Sequence, residues 1–250
     1  MPKYLLLIIA LLIGGNITSS AQLIYSHATK PAHTPLDINA EYFILGTIND
    51  YMGRYVRPLR DNADVDMYFP YEKPLATAIC SMIKKNYPQT DFYLNTSTNK
   101  QGQTHYSISS PTIAARINGY YQFKQGVSFP SGRSTGIITA GIFKNDTEKL
   151  AFLAGAYVRF GQPNDTAYCI NIANSMSKVQ VCYKLLKDFN CTATYKMLKG
   201  NIPVSHLIYF HPNKKVSAYL DKYMYLRKQI ERSNDLMISK IIQEHRKRRS

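Results

Sequence analysis

The chain has 250 residues, 31 Lys and Arg against 16 Asp and Glu, and a formal net charge of +15. That length suffices for one sizeable domain with its own core. The surplus of positive charge favours anionic partners such as phosphorylated molecules, lipid headgroups or envelope polymers. Four cysteines without a Cys-x-x-Cys pair exclude a thioredoxin-like site and a zinc knuckle.

The N-terminus has the pattern of a secretory signal peptide over 1–21. Lys3 is followed by an apolar run from Tyr4 to Ile13, and Ser19-Ser20-Ala21 offers a small-x-small cleavage site before Gln22. The expected location is therefore secreted or periplasmic. No later stretch is long enough to span a membrane, so no transmembrane span is expected in the mature chain. In an oxidising compartment Cys80, Cys169, Cys182 and Cys191 allow one or two disulfides of undetermined pairing, the rival being buried free thiols.

Residues 22–40 read as an extended arm. Apolar residues at helical spacing predict helices over 41–55, 75–87, 113–121 and 147–160, the last behind the cap signal Asn145-Asp146-Thr147. The Thr, Ser and Asn-rich stretch 89–111 reads as loop or irregular helix. Ser134–Phe143 reads as a buried helix, 166–188 as a segment with helical burial positions, and 203–212 as strand or loop. The longest periodic segment, Val216 to His245, predicts an amphipathic helix ahead of a basic tail at 246–250. No sustained alternation and no internal repeat stand out. The class expected is mostly α: a single helical-bundle domain over 41–245 with a long C-terminal helix.

One turn carries the chemistry. Pro130-Ser131-Gly132-Arg133 precedes a small-residue apolar run, and a turn feeding a helix N-terminus presents N–H groups to an anion. With Phe160-Gly161-Gln162 downstream, the region resembles the class A bacterial non-specific acid phosphatases, of the type 2 phosphatidic acid phosphatase and vanadium haloperoxidase superfamily. That resemblance implies an all-α fold and phosphoryl transfer through a His nucleophile. It also places the family's motif positions on residues that cannot perform the reaction. Arg133 stands in place of the acid His. Gln103 and Ser110 replace the Lys and Arg of the first block. Asn164 falls in the third block, with Ile170 where the nucleophilic His belongs and Asn174 where its orienting Asp belongs.

The expectation is thus a pseudoenzyme that binds an anion through Ser131, Gly132 and Arg133, or binds an envelope protein partner. A divergent phosphomonoesterase rebuilt around Arg116, Lys124, Arg133 and a His is the alternative. A structural or interaction protein of the cell envelope, working through its basic C-terminal helix and tail, is the third. No cofactor is expected. No metal is expected either, because no His stands at ligand spacing from another donor. Nucleic acid is electrostatically permitted but not expected, since no recognition motif is visible. The tyrosines, Tyr120-Tyr121 and the set Tyr219, Tyr223 and Tyr225 among them, are expected to pack helices or to form a ligand surface.

Overall fold

Two helices that cross at glycine organise the molecule. The computed structural model describes residues 18–23, 39–56, 63–99, 102–123, 134–162 and 167–247. A first strand, β1 (Thr18–Leu23), precedes the first helix, α1 (Ala40–Thr47). Asn39 caps α1, its side chain accepting the Tyr42 N–H at 3.3 Å. Almost every residue of α1 is buried. Strands β2 (Arg54–Val56) and β3 (Asp64–Tyr68) follow, then a 3-10 turn and helix α2 (Lys73–Asn86), with Pro74 in its first turn. The hairpin β4 (Tyr93–Thr98) and β5 (Thr104–Ser109) leads to α3 (Pro111–Asn118), and β6 (Tyr121–Phe123) and β7 (Ser134–Ile138) complete the first half.

The second half repeats this plan. Helix α4 (Asp146–Phe160) is capped by Asn145, which accepts the Glu148 N–H at 3.0 Å. Then come β8 (Gly161–Gln162), β9 (Tyr168–Ala173), α5 (Met176–Asp188), the hairpin β10 (Thr192–Leu198) and β11 (Ser205–His211), and α6 (Lys214–Asp221). A long helix, α7 (Met224–Lys247), closes the chain. The first sheet has the order β1-β4-β5-β3 and the second β10-β11-β9-β8, so β4-β5-β3 corresponds to β10-β11-β9. A third sheet, β2-β7-β6, lies within the first half, and all pairings are antiparallel.

The two halves meet where α1 crosses α4. A Cβ on Gly46 would overlap the Phe152 carbonyl oxygen, and a Cβ on Gly155 would overlap the Phe43 carbonyl oxygen. The contact is reciprocal: each helix offers Phe-x-x-Gly to the other. The correspondence extends to the caps. Ser110 at the start of α3 donates to the Asp91 carbonyl at 2.7 Å, and Asn213 at the start of α6 donates to the Phe189 carbonyl at 2.6 Å.

The architecture corrects several sequence expectations. The fold is α/β with three antiparallel sheets, not a helical bundle. The stretch read as loop or irregular helix is the β4–β5 hairpin. The predicted buried helix at 134–143 is β7 followed by a 3-10 turn. The segment 166–188 divides into β9 and α5, and the predicted long helix from 216 is α6 and α7. The helices at 75–87, 113–121 and 147–160 form close to their expected bounds. Most of the expected signal peptide, 1–17, lies outside the described residues, and β1 runs across the expected cleavage point, paired with β4. All four cysteines are free and buried. Burial pushes the thiols of Cys80 and Cys182 up to about 12 and that of Cys169 up to about 11, so these are packing groups and not nucleophiles. Among the described residues no helix is long and apolar enough to cross a membrane.

Candidate functional site

Of the residues singled out by the phosphatase resemblance, those described take structural places. Ser131, Gly132, Arg133 and Asn164 lie outside the described residues, as does Lys124. Gln103 sits in the β4–β5 turn, bonded to Asn99. Ser110 is buried as the cap of α3. Ile170 is a core residue of β9, paired across the second sheet with Ile208. Asn174 takes a left-handed conformation, φ 51°, between β9 and α5. Gln103 thus stands in a hairpin turn of the first sheet and Ile170 in a core strand of the second. Arg116 is also committed elsewhere: it pairs with Glu41 at 2.7 Å.

That Glu41 pair yields a test. Burial pushes the Glu41 carboxyl up, but hydrogen bonds from Arg116, Tyr120 and Tyr87 outweigh it, and the carboxyl titrates below its ordinary 4.5. The stabilisation is therefore fully present above the unfolded value and is lost as pH falls through the lowered folded value. Glu41→Gln is expected to cost about 1–2 kcal/mol at neutral pH. The gap to the parent should close on acidification, as read by urea melts at stepped pH. A gap independent of pH counts against the ionised pairing.

Two other features stand out. The first is a buried charge cluster at the C-terminal ends of α1 and α4. Arg159, in the last turn of α4, pairs with Glu72 at 2.9 Å and with Asp66, and donates to the carbonyls of Thr47 and Met67. Its guanidinium also lies 4.7 Å from the Tyr68 ring centre. Asp50, just beyond α1, pairs with Lys178 of α5 at 3.4 Å and accepts from Ser175 at 2.8 Å. Lys178 also donates to the Ile48 carbonyl. Burial lowers the Lys178 titration while Asp50 acts in the opposite sense. Burial likewise acts to lower that of Arg159, but Glu72 and Asp66 prevail and it is raised. Each end of the helix pair thus binds the other half of the molecule, with opposite signs. The end of α1 brings a carboxylate to an ammonium, and the end of α4 brings a guanidinium to two carboxylates.

The second feature is the pair of outer sheet faces. Side chains alternate along a strand, so the register sorts them. In the first sheet Leu94, Ile108 and Tyr68 enter the core. The row Met67, Ser107 and Asn95 and the row His105 and Ser97 face outward, with Tyr93 and Ser109 beyond. In the second sheet Ile170, Ile172, Ile208 and Phe210 enter the core. Outward stand Lys196, Leu207 and Asn171, then Thr194, Tyr209, Cys169 and Gln162, then Thr192 and His211. Neither outer row belongs to the hydrophobic core. Each outer face also holds a buried polar atom with no partner among the described residues: His105 Nδ1 in the first sheet and Asn171 Oδ1 in the second. Native folds leave few such atoms.

Other expected residues take structural places. His206 is buried and bonded to the Tyr195 hydroxyl at 2.9 Å. Tyr121 and Tyr223 are buried, and Tyr120 donates to Glu41. Sequence reasoning missed Gly46, Gly155, Arg159 and Lys178. The repeated Phe-x-x-Gly was the available signal.

No family model matches the chain, and no curated protein matches it. Solved structures resemble it in layout. The homing endonuclease I-DmoI in complex with DNA and Ca is 12% identical, with a TM-score of 0.45, over 74% of this chain and 86% of that one. Mesophilic variants of the same endonuclease give 12% and 0.47 over 73% and 93%. The complex of I-DmoI with DNA and Mn gives 11% and 0.46 over 75% and 94%. The three antiparallel sheets overturn the all-α fold that the acid phosphatase resemblance implies, and with it the phosphate-pocket pseudoenzyme and its divergent-phosphatase alternative. The expectation of no nucleic acid loses its basis too, since it rested on the lack of a short motif and a sheet face needs none to meet DNA.

The buried carboxylates are all engaged by groups of this chain. Asp50 is engaged by Lys178 and Ser175, Asp66 by Arg159 and the N–H groups of Asn49 and Met67, and Glu72 by two guanidinium nitrogens of Arg159 and the Phe69 N–H. Among the described residues no three His, Cys, Asp or Glu side chains stand together as a metal site.

Proposed function

We propose that the chain is a nucleic-acid-binding protein that grips duplex DNA with the outer faces of its two sheets. The carrying observation is the pair of polar outward rows, Asn95, Ser97, His105 and Ser107 in the first sheet and Gln162, Asn171, Thr194 and Lys196 in the second. Such Asn, Ser, Thr, Gln and Lys side chains are the donors and acceptors that read base edges and phosphates. The net charge of +15 supplies sequence-independent attraction to the phosphate backbone. The buried charge cluster serves as a structural lock that joins the halves. Its carboxylates are held by this chain's own cations, so the reading is of binding, with no cleavage assigned to that cluster.

The test is fluorescence anisotropy of the full chain with randomised duplexes, followed by selection of a preferred sequence. Affinity should fall steeply with salt. On the selected duplex, His105→Ala and Asn171→Ala should each cost roughly five- to a hundredfold, corresponding to about 1–3 kcal/mol per base contact. On random DNA they should cost far less. Absence of salt-dependent duplex binding at low ionic strength overturns the reading. So does equal binding to heparin and DNA with no effect of either substitution.

A further inference from the structure

We infer that the open edge of the second sheet, strand β10 with the pocket beside it, accepts an extended peptide strand from an acidic, apolar-patterned protein partner. Three observations support this. First, among the described residues β10 is the terminal strand of its sheet, whereas the corresponding strand of the first sheet, β4, is paired on that same side by β1. The fold therefore already accommodates an added antiparallel strand at the equivalent edge. An unpaired edge presents a row of backbone donors and acceptors, and β10 has no proline or bulge to blunt it.

Second, a cavity of about 410 Å³ opens between this edge and α5, lined by Met176, Val179, Gln180, Tyr183 and Tyr195. Met176 and Tyr195 are each 40% exposed and Met197 37%, a cluster of large apolar groups at one sheet margin. Tyr195 and Met197 point to the helix side of the strand, alternating with Lys196 on the outer face. An added strand would meet the pocket with every second side chain, and strand addition takes its specificity from such alternate positions.

Third, the charge is one-sided. The sequence of β10 and its turn, Thr192 to Lys199, contains Lys196 and Lys199 and no acid. An exposed Lys on an edge strand deters a second copy of that same edge. It suits a strand whose outward side chains are Asp or Glu. The occupant that fits is therefore a segment with acids on one face and apolar or aromatic residues on the other. This inference does not depend on nucleic-acid binding, although Lys196 borders both the outer face and the edge.

The experiment uses the full chain and a fluorescein-labelled eight-residue peptide in which Glu alternates with Ile and Phe. A peptide of the same composition in blocked order is the control. The expected result is saturable binding at least tenfold tighter than the control, with amide exchange slowed in 193–197. Met176→Glu and Tyr195→Ala should each weaken binding at least fivefold, with circular dichroism confirming the fold. Lys196→Glu should weaken the Glu peptide and prefer a Lys-alternating one. The inference is overturned by no saturation at millimolar peptide, by equal binding of the blocked-order control, or by protection elsewhere than β10. It is also overturned if Lys196→Glu does not reverse the charge preference. Because DNA is absent throughout, failure here leaves the duplex-binding result standing, and the reverse.

Discussion

Gly155→Ala, and separately Gly46→Ala, is expected to destabilise the protein by about 3 kcal/mol or more, with loss of cooperative unfolding in the double variant. In an exposed helix the same change stabilises by about 1 kcal/mol, because Ala is the better helix former. Here the sign reverses. Each added methyl meets backbone of the opposing helix: the Phe43 carbonyl and the Thr47 amide for Gly155, the Phe152 carbonyl and the Ala156 amide for Gly46. Backbone inside a buried crossing cannot rotate away as a flexible side chain can, so the helices must separate. Separation unpacks Phe43, Phe152, Ile44 and Leu153, all at most 1% exposed. Gly200→Ala, where a Cβ meets nothing within 4 Å, should change stability by less than about 0.5 kcal/mol. Denaturant melts of the three variants measure this. Equal effects at all three glycines would refute the crossing as the central contact.

Arg159→Met should be the costliest change outside the glycines, at about 3–5 kcal/mol. The guanidinium is the one group that binds Asp66, Glu72 and the carbonyls of Thr47 and Met67 together. Its removal leaves two carboxylates buried, with side chains only 7% and 5% exposed, facing no cation in that half of the cluster. The penalty comes from those stranded charges more than from the lost bonds. Neutralising them in the same chain, with Asp66→Asn and Glu72→Gln, should therefore recover at least half of the loss. Both amides keep an oxygen for the N–H groups of Asn49, Met67 and Phe69 that the carboxylates accept now. Thermal melts of the single and triple variants decide it. A triple variant less stable than the single one would show that the bonds, not the stranded charges, dominate.

The opposite signs at the two helix ends bear on how the halves recognise each other. Asp50 faces Lys178, and Arg159 faces Asp66 and Glu72. Each pairing is between halves. Two first halves placed together would set Asp50 against Glu72 and Asp66, and two second halves would set Arg159 against Lys178. Like charges in a buried contact are strongly disfavoured. The cluster therefore specifies that a first half joins a second half.

Several elements were legible from local sequence because local chemistry dominates them. The α4 helix follows from its Asn145 cap and from Leu150, Leu153, Ala154 and Tyr157 at helical spacing. The α2 helix follows from Pro74 and the stripe Leu75, Ile79, Met82 and Ile83. The hairpin β4–β5 was hidden because its outer face is Asn, Ser and His, and the polar rows that would serve a ligand look like a loop. Strand β9 carries alternation, Cys169-Ile170-Asn171-Ile172, but only over a few residues. The outward Cys169 blurs it further, because it is itself buried. The phosphatase resemblance failed on the fold: it implies an all-α chain, whereas Ile170, placed at a motif position, is a core strand residue of an antiparallel sheet.

By itself the sequence determined the surplus of positive charge, the cap of α4, and the helices whose apolar stripes recur every three or four residues. These properties depend on a residue and its near neighbours along the chain. Only the tertiary structure decided the repeat, the crossing at Gly46 and Gly155, the neutralised cluster of Asp50, Asp66, Glu72, Arg159 and Lys178, and the two outer faces. Each of those joins residues tens to more than a hundred positions apart. A glycine means close approach only once a second backbone lies against it, and a buried carboxylate means a lock only once its cation is in place.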